Sequence, residues 1–429
     1  MWRLAYRIFR AVSGIQYWME RHFTRAGWLV LGGAVAAGAL GVDTSLTLAY
    51  QIFTILAALL AVAMVSSRLT GARCAVERSL PRMVTAGQAF SYRVRVINTG
   101  ARPLDGVSLL DGVTDPRPDY AEFRAHCRMP TYRDWKRLIV KKQILNIEEC
   151  ALPALAPHAE CELTVSAESY RRGIAHFAQA TIARADPLGI FRKLNVMDAP
   201  ANVLVLPRRY ELNPLHLPGS RHYQPGGMNL AASVGESEEF IGLRDYRPGD
   251  PLQRIHWKSF ARAGEPIVRE YQDEFLERHA LVLDTFGSGA DEAGFEEAVS
   301  IAASYACTIH TQECMLDLMF VGAESYCYTA GRGQLQTANL VEILAGVRIC
   351  ADKPFRELGE AVLAQRAMLA SSICILLAWD APRQEFVRQL RVSGIPSRVL
   401  VVTASDIPDQ PEWLRVLAPG KIQEGLAAL

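Results

Sequence analysis

The chain has 429 residues, too many for one ordinary domain, so two soluble domains with extra segments are expected. Its 46 Lys and Arg nearly cancel 45 Asp and Glu, and a formal charge of +1 argues against a nucleic-acid partner. Nine scattered cysteines contain no C-x-x-C pair, which fits neither a disulfide framework nor a zinc site and reads as reduced thiols of a cytosolic protein.

Residues 1–26 form a basic N-terminal stretch with Arg3, Arg7, Arg10, Arg21 and Arg25. Gly27 to Val42 is then uncharged and apolar, and after Asp43-Thr44-Ser45 a second run extends from Leu46 to Val65. The second run is long enough to cross hydrocarbon, whereas the first is short and needs tilt or local thinning. A transmembrane helical hairpin over 27–65 is expected, since two runs follow each other and the hinge lacks a signal-cleavage site. Arginines precede it, Arg68, Arg73, Arg78 and Arg82 follow it, and the hinge carries none. Both ends therefore belong in the cytoplasm, giving a two-pass topology. Gly33, Ala37 and Gly41 would let one helix approach Ala57 and Ala61 of the other, with a homo-oligomer through the same face as the alternative.

Residues 66–210 change to period two, as in Phe90 to Val96, with further strand candidates at Gly106 to Leu110, Cys161 to Ala167, Ala175 to Ala183 and Asn202 to Leu206. Short alternating strands punctuated by Gly, Pro and Asn point to an all-β sandwich. An insertion at 115–150 interrupts it, where Arg133, Lys136, Arg137, Lys141 and Lys142 interleave with Tyr132 and Trp135. This insertion reads as a solvated basic face, with contact to membrane lipid as the alternative. Asp186-Pro187-Leu188-Gly189 reads as turn chemistry first and as a contact site second. Residues 211–235, rich in Pro, Gly and Ser, read as a linker.

Residues 236–270 are the densest run of informative residues. Pro248 and Gly249 supply the angles of a turn in Arg247-Pro248-Gly249-Asp250. Asp250 fits a helix N-cap, Pro251 the first helical position and Gly264 the stop, so a helix of about three turns is expected. On it Arg254, Lys258 and Arg262 would share one stripe, and Trp257 would serve as an aromatic anchor. The stripe is either paired internally with Asp245, Glu236, Glu238, Glu239 or Glu270, or open to an acidic partner. His256 reads as a packed or exposed side chain rather than an acid/base group.

Arg244, Tyr246, Pro248, Gly249, Asp250, Arg254, Ile255, Trp257, Lys258, Ala261, Arg262 and Val268-Arg269-Glu270 resemble the signature of the bacterial domain of unknown function 58 family. Arg172-Gly173 and Asp186-Pro187-Leu188-Gly189-Ile190-Phe191 resemble the family's upstream segments, so the likeness spans Arg73 to Leu429. The resemblance implies a von Willebrand A-like doubly wound domain, a bacterial inner-membrane setting and a MoxR-type AAA+ ATPase as partner. It implies no established reaction.

Residues 271–429 alternate buried strand candidates, at Ala280 to Asp284, Met315 to Val321, Ile373 to Trp379 and Arg398 to Val402, with helical runs. Such alternation predicts a mostly parallel sheet covered on both faces, the α/β part of the fold. Ligands of open α/β sheets bind at the carboxyl ends of the strands, so Asp284 merits a metal reading. A metal-ion-dependent adhesion site carries Asp-x-Ser-x-Ser there, and this chain has Asp284-Thr285-Phe286-Gly287-Ser288, in which Phe286 cannot ligate. Asp284, Ser288 and Asp380 remain a partial oxygen set, with Thr329 and Thr337 out of register; the plainer reading is that both aspartates cap helices or accept loop N–H bonds. No P-loop, H-E-x-x-H or G-x-S-x-G is present, and no cofactor is expected. The expected function is a non-enzymatic, membrane-anchored scaffold or adaptor for a MoxR-type ATPase in complex assembly. The alternatives are Mg-dependent ligand binding through the partial site, and a hydrolase.

Overall fold

The structure is a computed structural model that describes residues 1–40, 47–69, 71–127, 129–213, 240–271, 277–287, 292–309, 314–331, 337–405, 407–408 and 410–427. The predicted hinge at Asp43-Thr44-Ser45 and nearly all of the predicted linker lie outside these residues. The chain divides into two compact units, Met1–Tyr210 with Val341–Arg348, and Glu211–Leu340 with Ile349–Leu429.

The first unit begins with three helices, α1 (Trp2–His22), α2 (Arg25–Leu40) and α3 (Thr47–Leu69). Among the described residues, α3 is the helix long and apolar enough to cross a membrane, with 21 residues from Leu48 to Arg68 at mean hydropathy 2.3. The apolar α2 has 16 residues and is shorter than a span requires. It packs along α3, with Gly33 of the predicted ladder facing that helix and Ala37 buried. A Cβ on Gly33 would meet the side chain of Leu56 at 3.3 Å and one on Gly38 the ring of Phe53 at 3.2 Å. Ala61 is exposed, and Gly41 lies outside the described residues.

Two sheets follow, built from β1 (Cys74–Ser79), β2 (Met83–Thr85), β3 (Ala89–Asn98), β4 (Val107–Val113), β5 (Leu145–Ile147), β6 (Cys150–Ala151), β7 (Glu160–Ser169), β8 (Gly173–Ala185) and β9 (Arg192–Leu206). Their orders are β1-β3-β7-β5 and β2-β9-β8-β4-β6. Tyr92, Val94 and Val96 on β3 alternate with exposed Arg93 and Arg95, and they share one core with Val107, Leu109, Phe177 and Ile182 of the other sheet. Inside it the Asp111 carboxylate takes a bidentate bond from Arg78, 2.8 Å at Nε and 2.5 Å at the terminal nitrogen, and a third from the Tyr92 hydroxyl at 2.7 Å. Burial first, and then the Asp111 charge, push the Tyr92 phenol well above its ordinary range.

The insertion between β4 and β5 is not only a solvated face. It forms α4 (Tyr120–His126), closed by an Asp119/Glu122 capping box, and α5 (Tyr132–Lys142), capped by Thr131. Trp135 is fully buried with Phe123 in a cluster that also takes Trp2, Tyr6 and Phe9 of α1, which removes Trp135 as a lipid contact. Edge-on ring pairs such as Phe123–Trp135 at 5.4 Å and Tyr6–Trp135 at 5.6 Å each add about 0.5–1.5 kcal/mol beyond area burial. Arg133, Lys136 and Arg137 stay exposed, while Lys142 pairs with Glu122 at 2.6 Å.

The second unit opens with a two-stranded antiparallel pair, β10 (Phe240–Asp245) and β11 (Ile267–Tyr271), with the short helix α6 (Trp257–Ala263) between them. A six-stranded sheet follows, made of β12 (Glu277–Leu283), β13 (Cys314–Val321), β14 (Ser325–Ala330), β15 (Ser371–Leu376), β16 (Ser397–Val402) and β17 (Leu414–Leu417) in the order β14-β13-β12-β15-β16-β17. All neighbours are parallel except the β13–β14 edge pair. The helices are α7 (Glu292–Thr308), α8 (Thr337–Gly346), which belongs to the first unit from Val341 on, α9 (Arg356–Ala364), α10 (Ala381–Val392) and α11 (Ile422–Ala427). Ala280, Val282, Cys374 and Val401 face a core closed by α9 and α10, while α7 packs against β12, β15 and β16 with Phe295, Val299 and Ile301 buried. Near-continuous apolar strands are what coverage of both faces requires.

Candidate functional site

The signature segment folds as an antiparallel hairpin with a long excursion at its tip. Arg244 on β10 sits opposite Val268 on β11, and its guanidinium grips the Asp250 carboxylate with two bonds of 2.7 and 2.8 Å. Asp250 also accepts the Arg247 amide at 2.8 Å and returns its own amide to the Arg247 carbonyl at 3.0 Å, closing the turn. Gly249 takes φ of +110°, the angle the turn demands and a side chain would resist. The Arg244 guanidinium bonded to Asp250 holds that carboxyl down to about 2. Tyr246 joins the frame through its backbone, donating to the Pro266 carbonyl at 2.9 Å.

The predicted three-turn helix from Asp250 to Gly264 is not continuous. Leu252–Arg254 is one 3-10 turn, Ile255 (ψ 127°) is extended, His256 (ψ 85°) is neither helical nor extended, and the helix proper is the seven-residue α6. Asp250 is consequently bound to Arg244 rather than capping a helix. The break has a tertiary cause, since Ile255 leaves the helical path to bridge Val268, and both side chains are buried. Lys258 and Arg262 therefore remain one helical turn apart, but Arg254 belongs to a separate turn. The stop at Gly264 is as expected, in the left-handed region with its amide on the Phe260 carbonyl at 3.0 Å. His256 bonds Ser259 Oγ at 2.6 Å and is half-buried.

Around this frame stands an exposed aromatic and cationic face. Trp257 is 64 % exposed, and its ring meets the edge of Phe260 at 6.0 Å. Lys258 and Arg262 are exposed, and among the described residues neither is ion-paired. Arg254 is exposed and has a partner. Of the predicted internal partners, Glu236, Glu238 and Glu239 lie outside the described residues.

Asp284 and Asp380 are brought together at the carboxyl ends of β12 and β15, but around a guanidinium. Arg383 Nε donates to Asp284 at 2.6 Å, one terminal nitrogen donates to Asp380 at 2.6 Å and the other to the Phe286 carbonyl at 2.9 Å. Its guanidinium carbon lies 4.7 Å from the centre of the Phe355 ring. The Asp284 carboxylate takes two further bonds, from the Phe286 and Leu377 amides, and Asp380 caps α10 through the Arg383 amide. Burial pushes the Asp284 carboxyl up, against the pull of Arg383 and of the two amides. Burial alone would lower Arg383, and its bonds to the two carboxylates outweigh that and hold it above its ordinary value. A cation entering here would have to displace a charge already in place. Ser288 lies outside the described residues, and the Thr329 hydroxyl donates to Asp317 at 2.6 Å.

A third cluster involves the upstream motif of the first unit. The buried Asp186 carboxylate accepts the amides of Leu188, Ile190 and Phe191 at 3.0, 2.7 and 2.7 Å. This rigid turn holds the root of α2: the Thr24 hydroxyl donates to the Gly189 carbonyl at 2.5 Å, and Phe23 bridges Phe191. Gly27 lies so close that a Cβ there would collide with the Ile190 carbonyl oxygen. The motif is thus both a turn and a contact site.

The model of a family described as "Protein of unknown function DUF58" matches residues 242–409. Those residues belong to the DUF58 family. The DUF58 region begins in β10 and runs beyond β16, so it contains both the signature hairpin and the Arg383 cluster, and it does not reach the Asp186 turn. A relative, "Uncharacterized protein YeaD" of Bacillus subtilis, is 26 % identical over 210 residues, covering 47 % of this chain and 50 % of that protein. The chain thus spans about half the length of the curated relative it matches. Among solved structures, a CARDB domain from Pyrococcus furiosus is 18 % identical, covering 31 % of this chain and 93 % of its own at a TM-score of 0.18. Trypsin-activated alpha-2-macroglobulin from Escherichia coli is 14 % identical, covering 36 % and 10 % at 0.20.

Sequence reasoning missed Arg383. Its signal was position: a cation in the first turn of a helix opposes the macrodipole, which a nearby carboxylate offsets.

Proposed function

We propose that this DUF58 protein is a non-enzymatic adaptor of the bacterial inner membrane that docks an acidic partner on the exposed face of its signature hairpin. The observation that carries the reading is Trp257 at 64 % exposure beside Lys258 and Arg262, on a backbone pinned by the Arg244–Asp250 pair. Large aromatics and cations standing together on a rigid frame are the residues that dominate protein–protein binding. The family resemblance makes a MoxR-type AAA+ ATPase the first partner to test.

In this reading α2 and α3 both cross the membrane. Arg25 begins α2 and Arg68 closes α3, so the soluble units face the cytoplasm by the positive-inside tendency. A 16-residue α2 spans about 24 Å, and local thinning absorbs the shortfall. The six-stranded sheet is read as von Willebrand A-like, with Arg383 standing where the metal of a metal-dependent relative would sit. Affinity capture of a MoxR-type ATPase by the intact membrane protein tests the docking face. Trp257→Ala, and separately Lys258→Ala with Arg262→Ala, are expected to weaken capture about tenfold or more, the loss typical of interface anchors. Undiminished capture by both variants rejects the reading.

A further inference from the structure

α1 has two apolar faces, and the described residues of its unit cover one of them. Trp2, Tyr6 and Phe9 pack on the insertion helices. On the other side Leu4, Ile8, Val12, Ile15 and Trp18 are 64, 48, 45, 59 and 44 % exposed. Their spacing of three or four residues sets all five on one stripe along the helix. Exposed Arg3, Arg7 and Arg10 run along one edge of that stripe, and Glu20 is the helix's one acidic residue. A helix apolar on one flank and arginine-rich beside it has the chemistry of an anionic lipid surface.

Continuity with α3 points the same way. Met19, near the end of α1, packs in the cluster that holds Phe23, Leu59, Leu60 and Ala63. Leu59 and Leu60 lie just past the middle of α3 and Ala63 nearer its end, all in the half that closes at Arg68. The end of α1 therefore adjoins the half of α3 that carries Arg68, the half from which the span leaves the hydrocarbon.

We propose that α1 is a membrane-surface helix, lying in the plane of the bilayer with its aliphatic stripe among the acyl chains and its arginines on anionic headgroups. Its aromatic face then ties the insertion helices, and with them the two-sheet body, to the lipid surface. The proposal rests on the reading of α3 as a span, so the test separates the two.

The full chain is reconstituted in vesicles of phosphatidylcholine and phosphatidylglycerol with a photo-crosslinking residue in place of Ile8, Ile15, Ile55 or Arg93. Ile55 is an exposed position in α3, and Arg93 is an exposed control on β3. Lipid adducts at positions 8 and 15 are expected about fivefold or more above those at 93, and Arg3→Gln with Arg7→Gln lowers them about threefold. Adducts at 55 but not at 8 and 15 overturn the surface helix and leave the span standing. Adducts at none of the three overturn both. A crosslinked pair of chains through positions 8 or 15 also overturns the proposal, because the stripe would then be an interface between copies.

Discussion

Arg383 is buried among two carboxylates, a carbonyl and an aromatic ring, whereas Lys258 and Arg262 stand exposed beside Trp257 with no ion pair among the described residues. Both sets of cations belong to the DUF58 region. Their surroundings assign them different work. A buried charge costs several kcal/mol unless its partners are in place, so Arg383 and its aspartates are committed to holding β12, β15 and α10 together. An exposed cation is stable without a partner and keeps its charge available. Charge inside this unit reads as structure, and charge on the hairpin reads as recognition.

The comparison breaks most readily at Arg383. Replacing it with Ala strands the Asp284 carboxylate, which has no exposed surface, and unfolding by denaturant is expected to lose about 3–5 kcal/mol. Asp380→Ala removes a half-exposed partner and a helix cap, and is expected to cost only about 1 kcal/mol. Equal losses in the two variants would mean that Arg383 does not depend on its buried partner.

The smallest effect lies in the hairpin frame. Because the folded Asp250 carboxyl lies below its ordinary value of 3.8, its contribution is fully present above that pH and is lost as pH falls through about 2. Pepsin cleavage within 246–266 is therefore expected to rise as pH is lowered from 4 toward 2. In Arg244→Ala the carboxyl returns toward its ordinary value, so cleavage is already high at the upper end of that window. An unchanged profile in the variant would separate the turn from this ion pair.

The parts of the fold legible in advance were those in which local pattern and tertiary demand agree. Period-two runs located β3, β7 and β8, and continuous apolar runs located β12, β13, β15 and β16. The turn at Gly249 and the stop at Gly264 followed from backbone angles that glycine tolerates. Legibility ended where contacts distant in sequence decide. Ile255 lies in a stretch whose local signals read as one helix, and it is drawn out of that path by Val268. The N-terminal 26 residues read only as basic, since two apolar faces on α1 blur the single stripe that marks an amphipathic helix. The insertion helices were within reach, because Asp119 with Glu122 and Thr131 before Asp134 are start signals. At the candidate sites the aspartates were found, and the guanidinium that joins them was not.

The central claim is that the hairpin cations serve recognition and not stability. The most direct measurement compares the intact protein with its Lys258→Glu, Arg262→Glu variant in two readings on one preparation, the unfolding midpoint and the binding isotherm with a MoxR-type ATPase. The account predicts stabilities equal to within about 0.5 kcal/mol, binding in the native chain that weakens with added salt, and no measurable binding in the variant. Binding retained by the variant, or a variant that unfolds early, would contradict it.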